Sequence, residues 1–404
     1  MPDPQRALGG LIAASRLMVP DELVDLFVEA GHDLGASRVV VYLVSHEQRV
    51  LVPLAMPGWP KDPQSIEGTV VGRCFRQLQL HHAETEEHQC VWVPLVDGLE
   101  RLGVVYFEFK PGERKVPDDG LHEFAASVAE LVLVKQVYGD LFHRIRRQQP
   151  MSLAGEILWQ LLPPLTFGTD RLVISAMLAP AYDVGGDCFD YACDTNTARF
   201  AVFDAMGHGL EAGLLATLAI AAYRNARRLG SDLADCANAI DSAIAQEFSD
   251  GRFVTGIVAE LDLAEGRLRW HSAGHPSPLL LRSGQLVKTL DSDVDPPFGL
   301  GNAAKTMASE RLEPGDRVLL YTDGIVDARS PDGDFFGVSR LVDLVTRAVA
   351  ADLPVPETMR LLMHAVLDHP AGALRDDGTA LLVEWKGRGA FRADPMHTDP
   401  VTIP

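Results

Sequence analysis

The sequence predicts an α+β protein built from two domains that a helical connector joins. At roughly 150 residues per domain, a chain of 404 residues suggests two or three domains. Up to about residue 145, helices alternate with pairs of strands. From Leu172 onward, short β-rich runs surround two long helices. This grouping of strands and helices favours an α+β or layered architecture over strict βαβ alternation.

The first domain begins with a helix over residues 21–34, because Leu23, Phe27 and Ala30 recur at helical spacing. Residues 1–14 precede it and are expected to form a flexible leader. Two strand pairs rich in Val and Leu follow, with a short helix between them. The predicted elements are strands 38–44 and 50–54, a helix over 68–78, and strands 90–95 and 102–109.

A long helix then starts after Pro117 and leads into the connector. Its apolar residues recur at steps of three and four, which is the seam of a coiled coil. They are Leu121, Phe124, Val128, Leu131, Val134, Tyr138, Leu141 and Ile145. A homodimer through this seam and a helix packed on its own domain both fit the pattern. Pro150 interrupts the polar stretch that follows, and a second helix is expected over 151–162.

The second domain is predicted to contain more strands than helices. Strands are expected over 172–177, 199–203, 254–263, 267–273, 278–282, 317–322 and 379–385, and helices over 210–228, 233–248 and 341–350. Residues 389–404 contain three prolines and no apolar period, so a disordered tail is expected over 388–404.

The charge balance argues against two classes of binding partner. The chain has 36 basic and 56 acidic residues, a net charge of −20, of which −13 lies in residues 166–387. Such an excess disfavours nucleic acid and anionic lipid, both of which need a basic face. No apolar run reaches the ~18 residues of a membrane span, and five cysteines do not make a disulfide framework. We expect a cytoplasmic protein.

Carboxylates recur at the ends of predicted strands in the acidic domain. Asp187 follows Gly185-Gly186, Asp204 closes the run 200–203, Asp323 closes 318–322, and Asp376 precedes 380–383. An Asp-Gly after a strand is most often only a turn. Several such carboxylates in one cleft would repel each other unless a cation compensated them, and carboxylates are the ligands that hard divalent cations prefer.

The four carboxylates and their neighbours resemble, in order, the motifs of SpoIIE-like phosphatases, the bacterial branch of the metal-dependent PPM serine/threonine protein phosphatases. The matching segments are Asp183-Val184-Gly185-Gly186-Asp187, Asp204-Ala205-Met206-Gly207-His208-Gly209, Ser272-Ala273-Gly274-His275-Pro276, Tyr321-Thr322-Asp323-Gly324 and Asp376-Asp377-Gly378-Thr379. The first domain is similar to a GAF sensor in element order alone.

The resemblance implies a domain plan. It predicts a GAF-like α/β sensor domain over 15–135, a helical connector over 136–165, and a PPM-type α/β/β/α sandwich over 166–387. It also implies two divalent cations, Mn²⁺ or Mg²⁺, bridged by a water that attacks a phosphoserine or phosphothreonine. By the family's pattern Asp204 bridges both metals, the carbonyl of Ala205 joins one, and Asp323 and Asp376 bind the other.

The remaining site assignments by resemblance are less direct. Asp187 lies near the second metal and acts through water, and Asp377 either supports the ligands or binds a third metal. The catalytic set is therefore Asp204, Asp323 and Asp376. His208 is a candidate general acid or a residue that shapes its Gly-rich turn, and His275 is expected to be structural.

Other chemistries fit the sequence less well. The spacing of His81, His82, His88 and Cys90 matches no standard zinc site, and Cys188 and Cys193 flank a predicted strand as core or turn residues. A histidine-kinase-like ATPase would need different spacing around Asp204. The main alternative is a phosphatase-like module without catalysis that acts by docking to proteins.

The resemblance also implies partners. The expected substrate is a phosphorylated regulatory protein, an antagonist of an anti-sigma factor. The GAF-like domain is expected to bind an unknown small ligand or partner that regulates activity.

Overall fold

The computed structural model describes residues 4–387 except 55–60, 86, 249, 294, 302–304, 370–373 and 375. The predicted tail over 388–404 therefore lies outside the described residues. The chain divides into two compact units that meet between Pro150 and Met151. Each is described by itself.

The first unit is a six-stranded antiparallel sheet with helices on both faces. Its strands are β1 (Arg38–Val44), β2 (Val50–Pro53), β3 (Gln64–Ser65), β4 (His81–Glu84), β5 (Gln89–Asp97) and β6 (Glu100–Phe109), in the order β3-β2-β1-β6-β5-β4. Its helices are α1 (Pro4–Ser15), α2 (Leu23–Asp33), α3 (Val70–Gln77), α4 (Asp118–Lys135) and α5 (Leu141–Arg146). Short 3-10 helices occupy Pro20–Glu22 and Gln136–Tyr138.

Each face of this sheet carries an apolar core. Phe27 of α2 and Phe124 of α4 pack with Val93 and Phe107 of the sheet in the larger core. Phe75 of α3 lies in the smaller core on Val40 and its neighbours. Residues 4–15 form a helix where the sequence predicts a flexible leader, and Leu11 of this helix is buried in the larger core.

The predicted long helix is shorter in the structure, because α4 ends at Lys135 and α5 is a separate helix. Four seam residues are buried in the core of the unit itself: Leu121, Phe124, Val128 and Leu131. For this stretch, packing on its own domain is the correct interpretation. Val134 and Tyr138 are exposed, 59% and 72%. Dimerisation of the chain stays a prediction.

The second unit contains eleven strands and six helices among its described residues. The strands are β7 (Thr166–Gly168), β8 (Leu172–Ala179), β9 (Asp187–Cys193), β10 (Thr197–Ala205), β11 (Val254–Asp262), β12 (Arg267–Ala273), β13 (Leu279–Arg282), β14 (Gln285–Thr289), β15 (Ala308–Arg311), β16 (Arg317–Tyr321) and β17 (Gly378–Trp385). The helices are α6 (Leu153–Leu161), α7 (Gly209–Arg228), α8 (Leu233–Glu247), α9 (Asp323–Val326), α10 (Gly337–Ala350) and α11 (Val355–Leu367).

These strands form two antiparallel sheets that pack face to face. One has the order β15-β12-β11-β10-β9 and the other β14-β13-β16-β17-β8-β7. The core between them includes Phe200 and Ile257 from the first sheet and Ile174, Leu320 and Leu381 from the second. Helices α6, α7 and α8 cover the outside of the first sheet, and α11 packs on β8 of the second. The predicted α/β/β/α sandwich is confirmed.

In the described part of the chain, no helix combines the length and the apolar character that a membrane crossing requires.

Candidate active site

The site begins with two aspartates that face each other across neighbouring strands. Asp187 is the first residue of β9, and Asp204 is the next-to-last residue of β10. The antiparallel register pairs these two positions directly. Asp187 is only 2% exposed, whereas Asp204 is half-buried. Two carboxylates at one end of the first sheet are thus placed by the register alone.

The second sheet supplies the other carboxylates. Asp323 follows directly after β16 and Thr322 and begins the short helix α9. Asp376 and Asp377 precede β17, which pairs with β16 in the same sheet. Asp323 and Asp376 are exposed at the mouth of the site. The site therefore combines ends of strands from both sheets.

A buried threonine joins the two halves. The Oγ1 hydroxyl of Thr322 donates to Oδ2 of Asp187 at 2.6 Å and accepts from the backbone N–H of Thr379 at 2.9 Å. Thr322 is fully buried. Because its single hydroxyl serves a carboxylate of one sheet and the backbone of the other, it fixes Asp187 relative to the second sheet.

Burial and mutual repulsion raise the pKa values of these carboxyls. The pKa of Asp204 is raised to about 7 by burial and by Asp323, Asp376 and Asp377. Burial raises the pKa of Asp187 well above its usual range, with Asp204 and Asp377 adding to the effect. Burial and Asp376 also raise the pKa of Asp323. Positive charge placed among these groups would therefore be stabilising.

The chemistry of these residues fits a divalent-cation centre. All side-chain donors are carboxylate oxygens, the ligands that Mn²⁺ and Mg²⁺ prefer. Within the described ranges, no three His, Cys, Asp or Glu side chains are grouped closely enough to hold a metal ion by themselves. A cation here would thus be completed by water and by backbone oxygen. Ala205, the last residue of β10, lies directly after Asp204 and carries the carbonyl predicted for that role.

Asp377 is held differently from the other carboxylates. Its Oδ2 accepts hydrogen bonds from the backbone N–H groups of Gly185 at 2.7 Å, Gly186 at 2.6 Å and Asp187 at 3.3 Å. The turn before β17 is thereby tied to the loop before β9. The two motifs lie about 190 residues apart in the chain.

The two histidines differ in position. His208 is exposed at the N-cap of α7. His275 is buried after β12, with Nδ1 3.0 Å from Oγ1 of Thr255. Thr255 lies opposite Asp204 in the β10–β11 register, and its side chain hydrogen-bonds that carboxylate and lowers its pKa. His275 thus contacts the site through a threonine.

The other histidines and cysteines considered in the sequence do not form part of the site. The part of the chain that the structure describes does not bring His81, His82, His88 and Cys90 together as a metal cluster. Instead His82 contacts Asp118, and Cys90 lies 3.2 Å from the hydroxyl of Tyr106. Cys188 is buried in the core beneath α7, and Cys193 ends β9.

Sequence reasoning missed Thr255 and Thr322 as functional residues. Thr322 stands directly before Asp323, and Thr379 follows Asp376-Asp377-Gly378. A threonine beside the motifs of Asp323 and Asp376 was therefore the available signal. Thr255 carried none, because only the pairing of β10 with β11 brings it to Asp204.

The chain is similar to several known proteins. Residues 194–386 match the family model described as Stage II sporulation protein E (SpoIIE). Phosphoserine phosphatase RsbU of Bacillus subtilis is 21% identical over 326 residues, covering 77% of this chain and 91% of RsbU. Protein IcfG of Synechocystis is 29% identical over 169 residues. That match covers 41% of this chain and only 24% of the length of IcfG.

Among solved structures, the SiaA-PP2C domain of Pseudomonas aeruginosa is similar with a TM-score of 0.49 and 24% identity. That similarity covers 57% of this chain and 94% of the SiaA-PP2C chain. The family match includes Asp204, Asp323 and Asp376, and it begins after Asp187. Residues 194–386 of this chain therefore form a SpoIIE-family phosphatase domain of the PPM type.

Proposed function

We propose that the second unit is a protein serine/threonine phosphatase that acts on a phosphorylated regulatory protein in bacterial signalling. The observation that carries the proposal is that Asp187 and Asp204, paired in the first sheet, lie beside strand ends of the second sheet: Thr322 hydrogen-bonds Asp187, and the charges of Asp323 and Asp376 act on Asp204. Their raised pKa values indicate a site that gains stability from cations. By resemblance, the substrate is an antagonist of an anti-sigma factor in the cytoplasm.

Each carboxylate has a defined task in this proposal. Two bound divalent cations, Mn²⁺ or Mg²⁺, would supply an activated water and neutralise the phosphoryl oxygens. Asp204 would hold both cations, with the carbonyl of Ala205 on one of them. Asp323 and Asp376, exposed at the mouth, would hold the other and leave an open side for the phosphate. Thr322 and Thr255 keep Asp187 and Asp204 oriented.

The test is hydrolysis of an aryl phosphate and of a phosphoserine protein with and without Mn²⁺. We expect metal-dependent turnover in the wild type and its loss in D204N and D323N, by about a hundredfold or more because charge is removed from the metal site. D343N is the matched control, since Asp343 lies on the exposed surface of α10. Wild-type protein without metal-dependent turnover on either substrate would favour the docking module instead.

We further propose that the first unit regulates this activity as a GAF-like sensor over 15–135. Its support is a cavity of about 370 Å³ beside β1 and the start of α3, lined by Arg38, Tyr42, Thr69, Trp92 and Tyr106 among others. That volume suits a small ligand. Equal phosphatase activity in the full chain and in a chain that begins at Met151 would contradict regulation. Light scattering of the full chain measures whether it dimerises, and a monomer would contradict the predicted dimer through the connector over 136–165.

A further inference from the structure

One oxygen of the Asp377 carboxylate is held by backbone donors. Three consecutive N–H groups, from Gly185 to Asp187, converge on its Oδ2. Successive N–H groups that point to one acceptor make an anion-binding concavity, in which the anion fixes the conformation of the loop. Here that anion belongs to the protein itself.

The loop held in this way lies directly against a proposed metal-binding group, the carbonyl of Ala205. The N–H of Ala205 donates to the carbonyl of Gly186 at 3.2 Å. A Cβ atom added at Gly186 would lie 2.8 Å from the carbonyl oxygen of Ala205, and one at Gly185 would lie 2.6 Å from the backbone nitrogen of Gly209. Only glycines allow this approach, so the backbone of the loop packs against the carbonyl oxygen of Ala205.

The other end of the loop is Asp187, whose side chain is held by Thr322. The backbone of Asp187 is tied to Asp377, and its carboxylate to Thr322, so both contacts come from the second sheet. The first-sheet half of the site is thereby set in place by the residues that carry the second-sheet half.

We propose that Asp377 is a positioning residue, which holds the loop 185–187 so that Asp187 and the carbonyl of Ala205 point into the site, and that it is not a metal ligand. This inference rests on the proposed function only for its effect on activity. A neutral acceptor can still take these hydrogen bonds, because the donors are neutral amides, although a charged acceptor makes them stronger. Asparagine keeps an acceptor oxygen in the same position, whereas alanine removes it.

The first experiment needs no metal and no activity. Hydrogen exchange at the amides of residues 185–187 is measured in metal-free wild type, D377A and D377N. We expect exchange at least tenfold faster in D377A, since a lost acceptor leaves these donors free. D377N should stay within about threefold of wild type. Unchanged protection in D377A would overturn the proposal. Thermal unfolding verifies that each variant folds, and D377L, which also lacks an acceptor, takes the place of D377A if that variant does not.

The second experiment compares D377N with D376N, a variant of the neighbouring proposed ligand. We expect D377A to lose about tenfold or more in kcat and D377N to recover most of it, with a half-saturating Mn²⁺ concentration close to wild type. D376N should instead require far more Mn²⁺. If D377N shifts the Mn²⁺ requirement as D376N does, Asp377 is a ligand and the proposal fails. A wild type without activity would contradict the proposed function, while the exchange data would still decide the role of Asp377.

Discussion

Asp190 offers a sharp test of how the second unit is held together. Its carboxylate, 1% exposed, accepts from Nε and Nη2 of Arg224 at 2.9 and 2.6 Å and from Nη1 of Arg227 at 2.8 Å. Arg224 also donates to the carbonyl of Leu161 at the end of α6. One buried carboxylate thus joins β9, α7 and, through Arg224, α6.

The cost of D190A follows from these contacts. Three hydrogen bonds to charged groups, at roughly 1.5–3 kcal/mol each, sum to about 4.5–9 kcal/mol. The arginines are 19% and 12% exposed, so water recovers part of their solvation after the change. We therefore expect the loss typical of a broken buried pair, about 3–5 kcal/mol in the free energy of unfolding.

The chain contains a matched control for burial. Glu265 and Arg267 form the same kind of ion pair at 2.8 Å, but their side chains are 55% and 62% exposed. Because exposed pairs contribute little, E265A should cost under about 1 kcal/mol. If D190A and E265A destabilised the unit equally, burial would not govern the strength of these pairs.

Native-state hydrogen exchange of peptides from α7 and β10 measures this difference. It reports on the second unit alone, which matters because a chain of two units need not unfold in one transition. A loss of about 3–5 kcal/mol corresponds to an opening equilibrium raised roughly 100- to 4,000-fold. An increase below tenfold in D190A would refute the reasoning.

Three further predictions concern other parts of the chain. T322V should destabilise the second unit by about 2–4 kcal/mol more than T322S, because valine leaves the N–H of Thr379 and the carboxyl of Asp187 without the hydroxyl; equal stability in urea would contradict the bridge. Burial and the charges of Arg146, Arg147 and His143 lower the pKa of His46 to about 2. Only the unfolded chain then takes up this proton below pH ~6.5. Acidification from pH 7.5 to 5.5 should therefore lower the free energy of unfolding of the first unit by about 1.4 kcal/mol. Hydrogen exchange measured at both pH values should show that H46Q removes this loss. L158A should cost about 2–5 kcal/mol, since Leu158 is fully buried under α7, whereas L153A, at an exposed position of α6, should cost under about 0.5 kcal/mol in the same assay.

Most strands could be predicted because their burial on both faces makes them continuous apolar runs. The segment 38–44 is such a strand and has the predicted bounds. The segment 267–273 also has the predicted bounds, although its first apolar residues alternate with Arg267 and Arg269. Helix α11 was not among the predicted helices, and Pro354 and Pro356 flank its first residue. Both stand at the beginning of the helix, where the missing N–H costs nothing.

Periodicity could not decide what the long helix after Pro117 packs against. A seam at steps of three and four is the same whether its partner is a second chain or the sheet of its own domain. Phe124 illustrates this point, because its ring lies against Phe107 of β6 at 5.3 Å between centroids. That contact depends on the sheet's topology, which the local pattern does not contain.

The candidate site also has features that the sequence could predict and contacts that it could not. Asp204 and Asp323 could be predicted because each closes an apolar run, and an aspartate at the end of a buried strand projects from the end of the sheet. The contacts of Asp377 with the loop at Gly185 could not be predicted. They join residues that are separated by about 190 positions and meet only because β17 and β9 belong to facing sheets.

The construction of the site links its stability to the packing of the sandwich. Asp187 and Asp204 belong to one sheet, while Asp323, Asp376 and Asp377 belong to the other. Their repulsion favours separation of the sheets when the cleft holds no cation. The apolar core between the sheets, together with Thr322 and Asp377, opposes that separation. Divalent cations would reverse the sign of the carboxylates' contribution, so cation binding and closure of the sandwich should stabilise each other.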